Sequence, residues 1–97
     1  WDCDLERSAQ KVASTCVFAH STNRNNTGEN LYYYMSSANV PLTGKGKEAS
    51  DDWESEFQKY GWSDIKFTNA VFSSGVAHAT QMAWAKTTKM GCGMTPC

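Results

Sequence analysis

The cysteines restrict this chain more than any other residue type. Four of its 97 residues are cysteine, and no two of them form a C-x-x-C pair. Zinc ribbons and thioredoxin-like sites need such close pairs, so the spacing excludes both. An even number of cysteines in a small chain is typical of a secreted domain, whose modest core needs disulfides. Three pairings are possible and the sequence does not choose among them; the disulfide candidates are Cys3, Cys16, Cys92 and Cys97.

Composition excludes several classes of function. Hydrophobic residues make up 40% of the chain and aromatic residues 12%, which favours a packed core over disorder. Nine Lys and Arg against ten Asp and Glu give a net charge of -1, so no basic field exists for nucleic acid. No apolar run approaches the ~20 residues of a transmembrane helix, and no signal-peptide pattern is present. The sequon Asn25-Asn26-Thr27 is a glycosylation candidate in a polar loop and favours secretion.

Hydrophobic periodicity predicts two helices separated by loops. Residues 1–16 carry apolar side chains at helical spacing, and Asp2 is placed to cap the first turn. A second helix is predicted to begin near Ser50 or Asp51 and to end at Gly61. The segments 21–30 and 36–47 are rich in turn-forming residues and are predicted as loops.

Three further segments suggest β-structure. Residues 65–72 alternate well enough to predict a strand, and 82–86 with 90–94 predict a hairpin. The aromatic 31–35 segment fits either a helix or a strand. Without an internal repeat, the chain is predicted to form one mixed α and β unit.

Few polar residues are available for chemistry. The chain has only two histidines, His20 and His78, and most carboxylates are explained as charges at helix starts. Glu29 lies at the start of the 31–35 segment, and Glu56 borders the apolar face of the second predicted helix. If the four converge, they can bind a divalent metal or perform acid–base chemistry. Their separations of 9, 27 and 22 residues match no local metal motif, and the alternative is hydrogen bonding to buried backbone groups.

Four motifs, in order and spanning essentially the whole chain, carry a family resemblance. The chain resembles the CAP superfamily, which includes cysteine-rich secretory proteins, insect antigen 5 and plant pathogenesis-related proteins of group 1. It is most similar to the activation-associated secreted proteins of nematodes. The motifs are WDCDLERSAQ at 1–10, CVFAHS at 16–21, GENLY at 28–32 and HATQMAWAKTTKMGCG at 78–93.

The resemblance implies a fold and a site. The expected class is α+β, as a three-layer α-β-α sandwich (the CAP or SCP fold) with a large central cleft. The family cleft holds two His and two Glu. The motifs above assign three of these to His20, Glu29 and His78, and the W-x-x-E pattern that begins at Trp53 assigns the fourth to Glu56. We expect these four residues, as a tetrad, to be able to bind Zn²⁺ in the cleft, and we expect no cofactor to be required.

The sequence departs from the family pattern in two ways. Ala77 precedes His78 where the family usually has glycine. Residues 1–97 also resemble a single, partial CAP domain, incomplete at the N-terminal helix with its H-N-x-x-R motif and at the C-terminal strand with its C-x-Y pattern. Cys92 resembles a cysteine whose partner lies in that strand. We expect the partial domain alone to be poorly stable or to aggregate, because its sheet edge and core are uncovered.

The family implies a secreted, extracellular effector without enzymatic activity. Its expected partner is a host or cell-surface protein, or a lipid such as a sterol; the alternative is a metal-dependent hydrolase that uses the tetrad. Ser21 is not expected to be a nucleophile, because adjacent side chains seldom face each other and no G-x-S-x-G elbow is present. The apolar side chains of 31–35 and 60–72 could line a lipid groove, but core packing is the commoner role. The oligomeric state stays open.

Overall fold

Helices form the regular structure of this chain. The computed structural model describes residues 1–62 and 64–97. Within them lie α1 (Cys3–Ala13), α2 (Lys45–Tyr60), α3 (Asn69–Ser73) and α4 (Ala77–Met82). None of the helices in this described part combines the length and the apolar character that crossing a bilayer requires.

Helix α1 confirms the first predicted helix in most of its length. The Oδ1 atom of Asp2 accepts a hydrogen bond from the Leu5 amide at 2.9 Å, which satisfies one of the free donors at the helix start. The helix ends at Ala13, before the predicted end. Beyond it the chain turns, and Cys16 adopts a positive φ of 56°.

Helix α2 begins earlier than predicted, so the predicted loop 36–47 is wrong at its last three residues. Gly44 lies before the helix with a φ of 82°, where a side chain would be strained. Lys45 pairs with Glu48 at 2.7 Å and Lys47 with Asp51 at 2.6 Å. Such pairs one turn apart favour a helix, which explains why the first turn extends through a glycine-rich stretch. The predicted end is confirmed, since Gly61 takes a φ of 72°.

The predicted strand over 65–72 is wrong. Thr68 caps α3, with its Oγ1 accepting from the Val71 amide at 3.3 Å, and this local bond starts a helix in the middle of the predicted strand. Val71 is buried. Ile65, which the alternation would place inward, is 93% exposed.

The predicted hairpin is also wrong, because the 90–97 segment pairs with α1 instead. The Asp2 amide donates to the Met90 carbonyl at 2.8 Å. Farther along, the Gln10 carboxamide donates to the Met94 carbonyl at 2.9 Å and accepts from the Met94 amide at 3.0 Å. The 31–35 segment is neither helix nor strand, and no strand occurs in residues 1–62 or 64–97.

One disulfide closes this arrangement. Cys16, just after α1, is bonded to Cys97, across a separation of 81 residues. This is one of the pairings that the sequence left open. Cys3 and Cys92 are free and exposed thiols.

Two glycines let the 90–97 segment lie directly on α1. A Cβ atom at Gly91 would overlap the backbone of Glu6, and one at Gly93 would overlap the backbone of Gln10. Only glycine permits such a close approach of two backbones. The G-C-G spacing therefore fixes the register of the segment on the helix.

The core is small and lies among α2, α3 and α4, where α2 and α3 both pack on α4. Most of the apolar side chains in 31–35 and 60–72 are exposed, so the prediction that they form core is wrong for most of them. Among the described residues, the buried ones are Ala49, Val71, Val76, Ala79 and Thr80.

Substituting Gly93→Ala tests the packing of the segment on α1. The added methyl would overlap the Gln10 backbone, so we expect the free energy of unfolding to fall by about 1–3 kcal/mol. Gly46→Ala is the matched control, because its Cβ would meet only the Met94 methyl at 3.5 Å. Inside α2 that change should stabilise by roughly 0.5–1 kcal/mol. Urea unfolding of the full-length variants, followed by circular dichroism, measures both; equal stability of the two variants would contradict the packing.

Candidate active-site cleft

Glu29 is bound to His20 and to the residue that follows it. Its Oε1 atom accepts from Nδ1 of His20 at 2.7 Å and from the Ser21 amide at 3.0 Å. Its Oε2 atom accepts from the Ser21 hydroxyl at 2.6 Å. The Arg24 guanidinium lies 3.9 Å from Oε1. The Glu29 side chain is only 16% exposed, so the loop 21–30, confirmed as irregular, is folded around this carboxylate.

These donors keep Glu29 ionised. Partial burial raises the pKa of its carboxyl group, but the hydrogen bonds from the Ser21 hydroxyl, His20 and the Ser21 amide outweigh it and leave the pKa lowered. An ionised carboxylate can only accept hydrogen bonds, so Nδ1 of His20 must carry the proton. In the neutral ring, Nε2 then presents a free lone pair.

Glu56 is bound to His78 in the same way. Its Oε2 atom accepts from Nδ1 of His78 at 2.9 Å, and its Oε1 atom accepts from the Ala79 amide at 2.9 Å. The Asn30 carboxamide donates to the His78 carbonyl at 3.0 Å and ties the loop to α4. In both pairs, one glutamate therefore binds the Nδ1 atom of a histidine and the backbone amide that follows.

Helix α2 supplies a second support for His78. The Trp53 ring stacks on the His78 ring, with centroids 6.2 Å apart and planes at 16°. The Nε1 atom of Trp53 donates to the Leu31 carbonyl at 3.0 Å. Since Trp53 and Glu56 are three residues apart, they lie on one face of the helix and contact the same imidazole. Ala77 is the first residue of α4 and has no positive φ, so the position that is usually glycine accepts a methyl group.

Both imidazoles line one cavity of about 440 Å³. Glu29 also lines it, whereas Glu56 is not among its lining residues. The side chains of His20 and His78 are 54% and 35% exposed, so solvent reaches both rings. In the part of the chain that the structure describes, no three His, Cys, Asp or Glu side chains are grouped as metal ligands. The tetrad therefore consists of two His–Glu pairs. The other lining residues are Arg24, Thr27, Gly28, Asn30, Phe72, Ala77 and Gln81.

Sequence reasoning missed the residues that complete the site. Ser21 was considered only as a nucleophile, whereas its hydroxyl and amide both bind Glu29. Asn30 and Gln81 were not predicted as site residues, although Asn30 lies in the GENLY motif and Gln81 in HATQ. A Cβ atom at Gly28 would overlap the Gln81 side chain, so the first glycine of GENLY leaves room for the glutamine of HATQ. The signal that could have found Ser21, Asn30 and Gln81 is that each lies in the same motif as a tetrad residue.

The chain matches the CAP family, described as the cysteine-rich secretory protein family, over residues 1–97. With the fold and the two His–Glu pairs in view, the chain belongs to this family. The solved structure of BmVAL-1 is similar, with a TM-score of 0.90 and 46% sequence identity over 96% of this chain and 48% of that one. The resemblance drawn from the motifs is therefore confirmed, and so is the CAP fold.

Several relatives are about one third identical to the chain over the residues that align. Salivary antigen-5 of Dipetalogaster maximus is 33% identical over 96% of this chain and 38% of that protein. The Ancylostoma secreted protein of Ancylostoma caninum is 33% identical over 100% of this chain and 24% of that protein. Human Golgi-associated plant pathogenesis-related protein 1 is 38% identical over 93% of this chain and 55% of that protein. The chain thus spans about a quarter to about half the length of these relatives.

The lowered pKa of Glu29 predicts a pH dependence. Because the folded value lies below the ordinary 4.5, the unfolded chain binds the proton first as the pH falls. The stability that Glu29 contributes is therefore fully present above 4.5 and is lost as the pH falls through the lower folded value. Thermal melts across this range should show a steeper loss for the wild type than for Glu29→Gln. The control is Glu54→Gln at an exposed position of α2, and parallel profiles for wild type and Glu29→Gln would refute the prediction.

Proposed function

We propose that this chain is part of a secreted, extracellular effector that acts by binding and has a site for Zn²⁺ between its two histidines. The Nε2 atoms of His20 and His78 would bind the ion, and Glu29 and Glu56 would orient the rings from behind. One observation carries the proposal: both imidazoles line the same cavity while their Nδ1 atoms are bonded to carboxylates.

The donor set suits zinc. Neutral imidazole nitrogen is a preferred ligand of Zn²⁺, and a carboxylate on the second ring nitrogen fixes the tautomer and raises the basicity of the ligand. Two histidines leave coordination positions for water and for donors of a small bound ligand. The sequence predicts the two glutamates as metal ligands as well. In this proposal they are instead positioning residues that orient the rings.

The contacts favour binding over hydrolysis. The Ser21 hydroxyl donates to Glu29, so its proton is directed to a carboxylate and not to an imidazole. Glu56 does not line the cavity and accepts from an imidazole and an amide. The metal-dependent hydrolase is the second candidate, because the ionised Glu29 does line the cavity and could accept a proton from water.

The surface supports a protein partner. All four methionines are exposed, and Met35 is the most exposed at 80%. Flexible, polarisable methionines adapt to partner surfaces, as well as to the core that the rest of a CAP domain would complete. Tyr33 and Phe18 stack edge to face and are also exposed, with ring centroids 4.7 Å apart. We propose that the partner is a host or cell-surface protein, as in immunomodulation, and that a lipid such as a sterol is the alternative.

The disulfide and the sequon support an extracellular location, as do relatives with salivary, venom and secreted in their names. Residues 1–97 would be one part of a single CAP domain. We propose that the three-layer α-β-α sandwich forms in that complete domain. The four helices of the described residues would belong to its helical layers.

Calorimetric titration of the full-length protein with Zn²⁺ tests the site. We expect binding that His78→Ala or His20→Ala abolishes. Glu56→Gln should weaken it about 10–100-fold, because the ring loses its orienting partner. Glu54→Gln, two residues away on α2, is the matched control and should bind like the wild type. Undiminished binding by His78→Ala would place the ion elsewhere.

The same preparations separate binding from hydrolysis. With zinc bound, we expect no turnover on a panel of ester and peptide substrates and direct binding to intact cells or to sterol-containing vesicles. Cell binding that protease treatment of the cells removes would identify a protein partner. Turnover that Glu29→Gln abolishes would favour the hydrolase.

A further inference from the structure

The loop between the two residues of the first His–Glu pair contains a tight turn. The Thr27 amide donates to the Arg24 carbonyl at 2.9 Å, and between them Asn25 and Asn26 have φ values of 48° and 60°. Two central residues with positive φ are the mark of a type I′ turn, for which asparagine is among the favoured residues. Asn25 therefore lies at an outer corner of a defined turn.

Asn25 is also the acceptor position of the sequon. Its side chain is exposed, and it makes no hydrogen bond among those of the described residues. The turn is held by backbone atoms, so a substituent on the Asn25 carboxamide would displace no contact of the fold.

The turn is part of the cavity rim. Arg24 and Thr27, which flank the two asparagines, both line the cavity that contains His20 and His78. Any group attached to Asn25 would thus start within two residues of the cavity lining.

We propose that Asn25 carries an N-linked glycan at the mouth of the imidazole cavity, where it keeps large partners away from the two histidines and admits small ones. The modification rests on the proposed passage through the secretory pathway. There, Nδ2 of Asn25 forms a bond to C1 of the sugar of a lipid-pyrophosphate-linked oligosaccharide. The bond from C1 to the pyrophosphate oxygen breaks, the lipid pyrophosphate leaves with the electron pair, and the amide nitrogen loses one proton.

The glycan divides ligands by size. A hydrated ion or a small molecule passes beside a flexible glycan, whereas a protein surface must displace it. Partner proteins would then bind surface outside the cavity, and the His–Glu pairs would serve a small ligand.

Expression of the full-length protein through a eukaryotic secretory pathway tests whether Asn25 is modified. Peptide-N-glycosidase should lower the mass of the wild type, and mass spectrometry of the released peptide should show aspartate at position 25. Asn25→Asp should lack the modification at this position. Asn26→Gly keeps both the sequon and the positive φ, and it should be modified like the wild type. An unmodified Asn25 in secreted protein would overturn the proposal.

Access to the histidines is tested separately from zinc binding. Diethyl pyrocarbonate, a small imidazole reagent, should modify His20 and His78 equally with and without the glycan. Agarose-bound Cu²⁺, which needs only one exposed imidazole, should retain the glycosylated protein less than the deglycosylated protein. The difference should vanish in the His20→Ala/His78→Ala variant. Equal retention of both forms of the wild type would overturn the role in access, whatever the zinc titration shows.

Discussion

The cleft depends on one interaction that occurs twice, a glutamate carboxylate that accepts from a histidine Nδ1 atom and from the next backbone amide. Glu29 binds His20 and Ser21, and Glu56 binds His78 and Ala79. Side-chain exposures of 16% and 14% show that both carboxylates are largely desolvated, so removing their donors would leave poorly hydrated charges. The same bonds fix the tautomer of each neutral ring, which links the stability of the cleft to its ligand chemistry.

The two halves of the cleft are held by different means. His78 is supported by helices, since α2 packs on α4 and contributes both a stacking tryptophan and a glutamate. His20 belongs to irregular chain, and its support comes from hydrogen bonds within the loop. Asn30 joins the halves through the His78 carbonyl. The cleft therefore combines an imidazole held by helices with one held by a hydrogen-bonded loop.

Local signals predicted much of the helical structure and none of the long-range pairing. The helix cap at Asp2 and the helix end at Gly61 could be predicted from the sequence, because each depends on neighbours within a few residues. The prediction of a strand over 65–72 is wrong because Thr68 caps a helix there. The prediction of a hairpin is wrong because Met94 binds Gln10, which is 84 residues away in the sequence. The Cys16–Cys97 bond could not be chosen from spacing for the same reason. The tetrad was found through motif resemblance, but its division into two His–Glu pairs is a matter of tertiary geometry.

The ligand chemistry of the cleft depends on Nδ1 carrying the proton in both rings, and long-range ¹H–¹⁵N correlation spectra of the labelled protein measure this directly. With the imidazoles neutral, we expect a protonated Nδ1 and an unprotonated Nε2 for His20 and for His78. A protonated Nε2 in either neutral ring would contradict this expectation, because that ring could not donate to its glutamate through Nδ1 and would have no free Nε2 lone pair for a ligand.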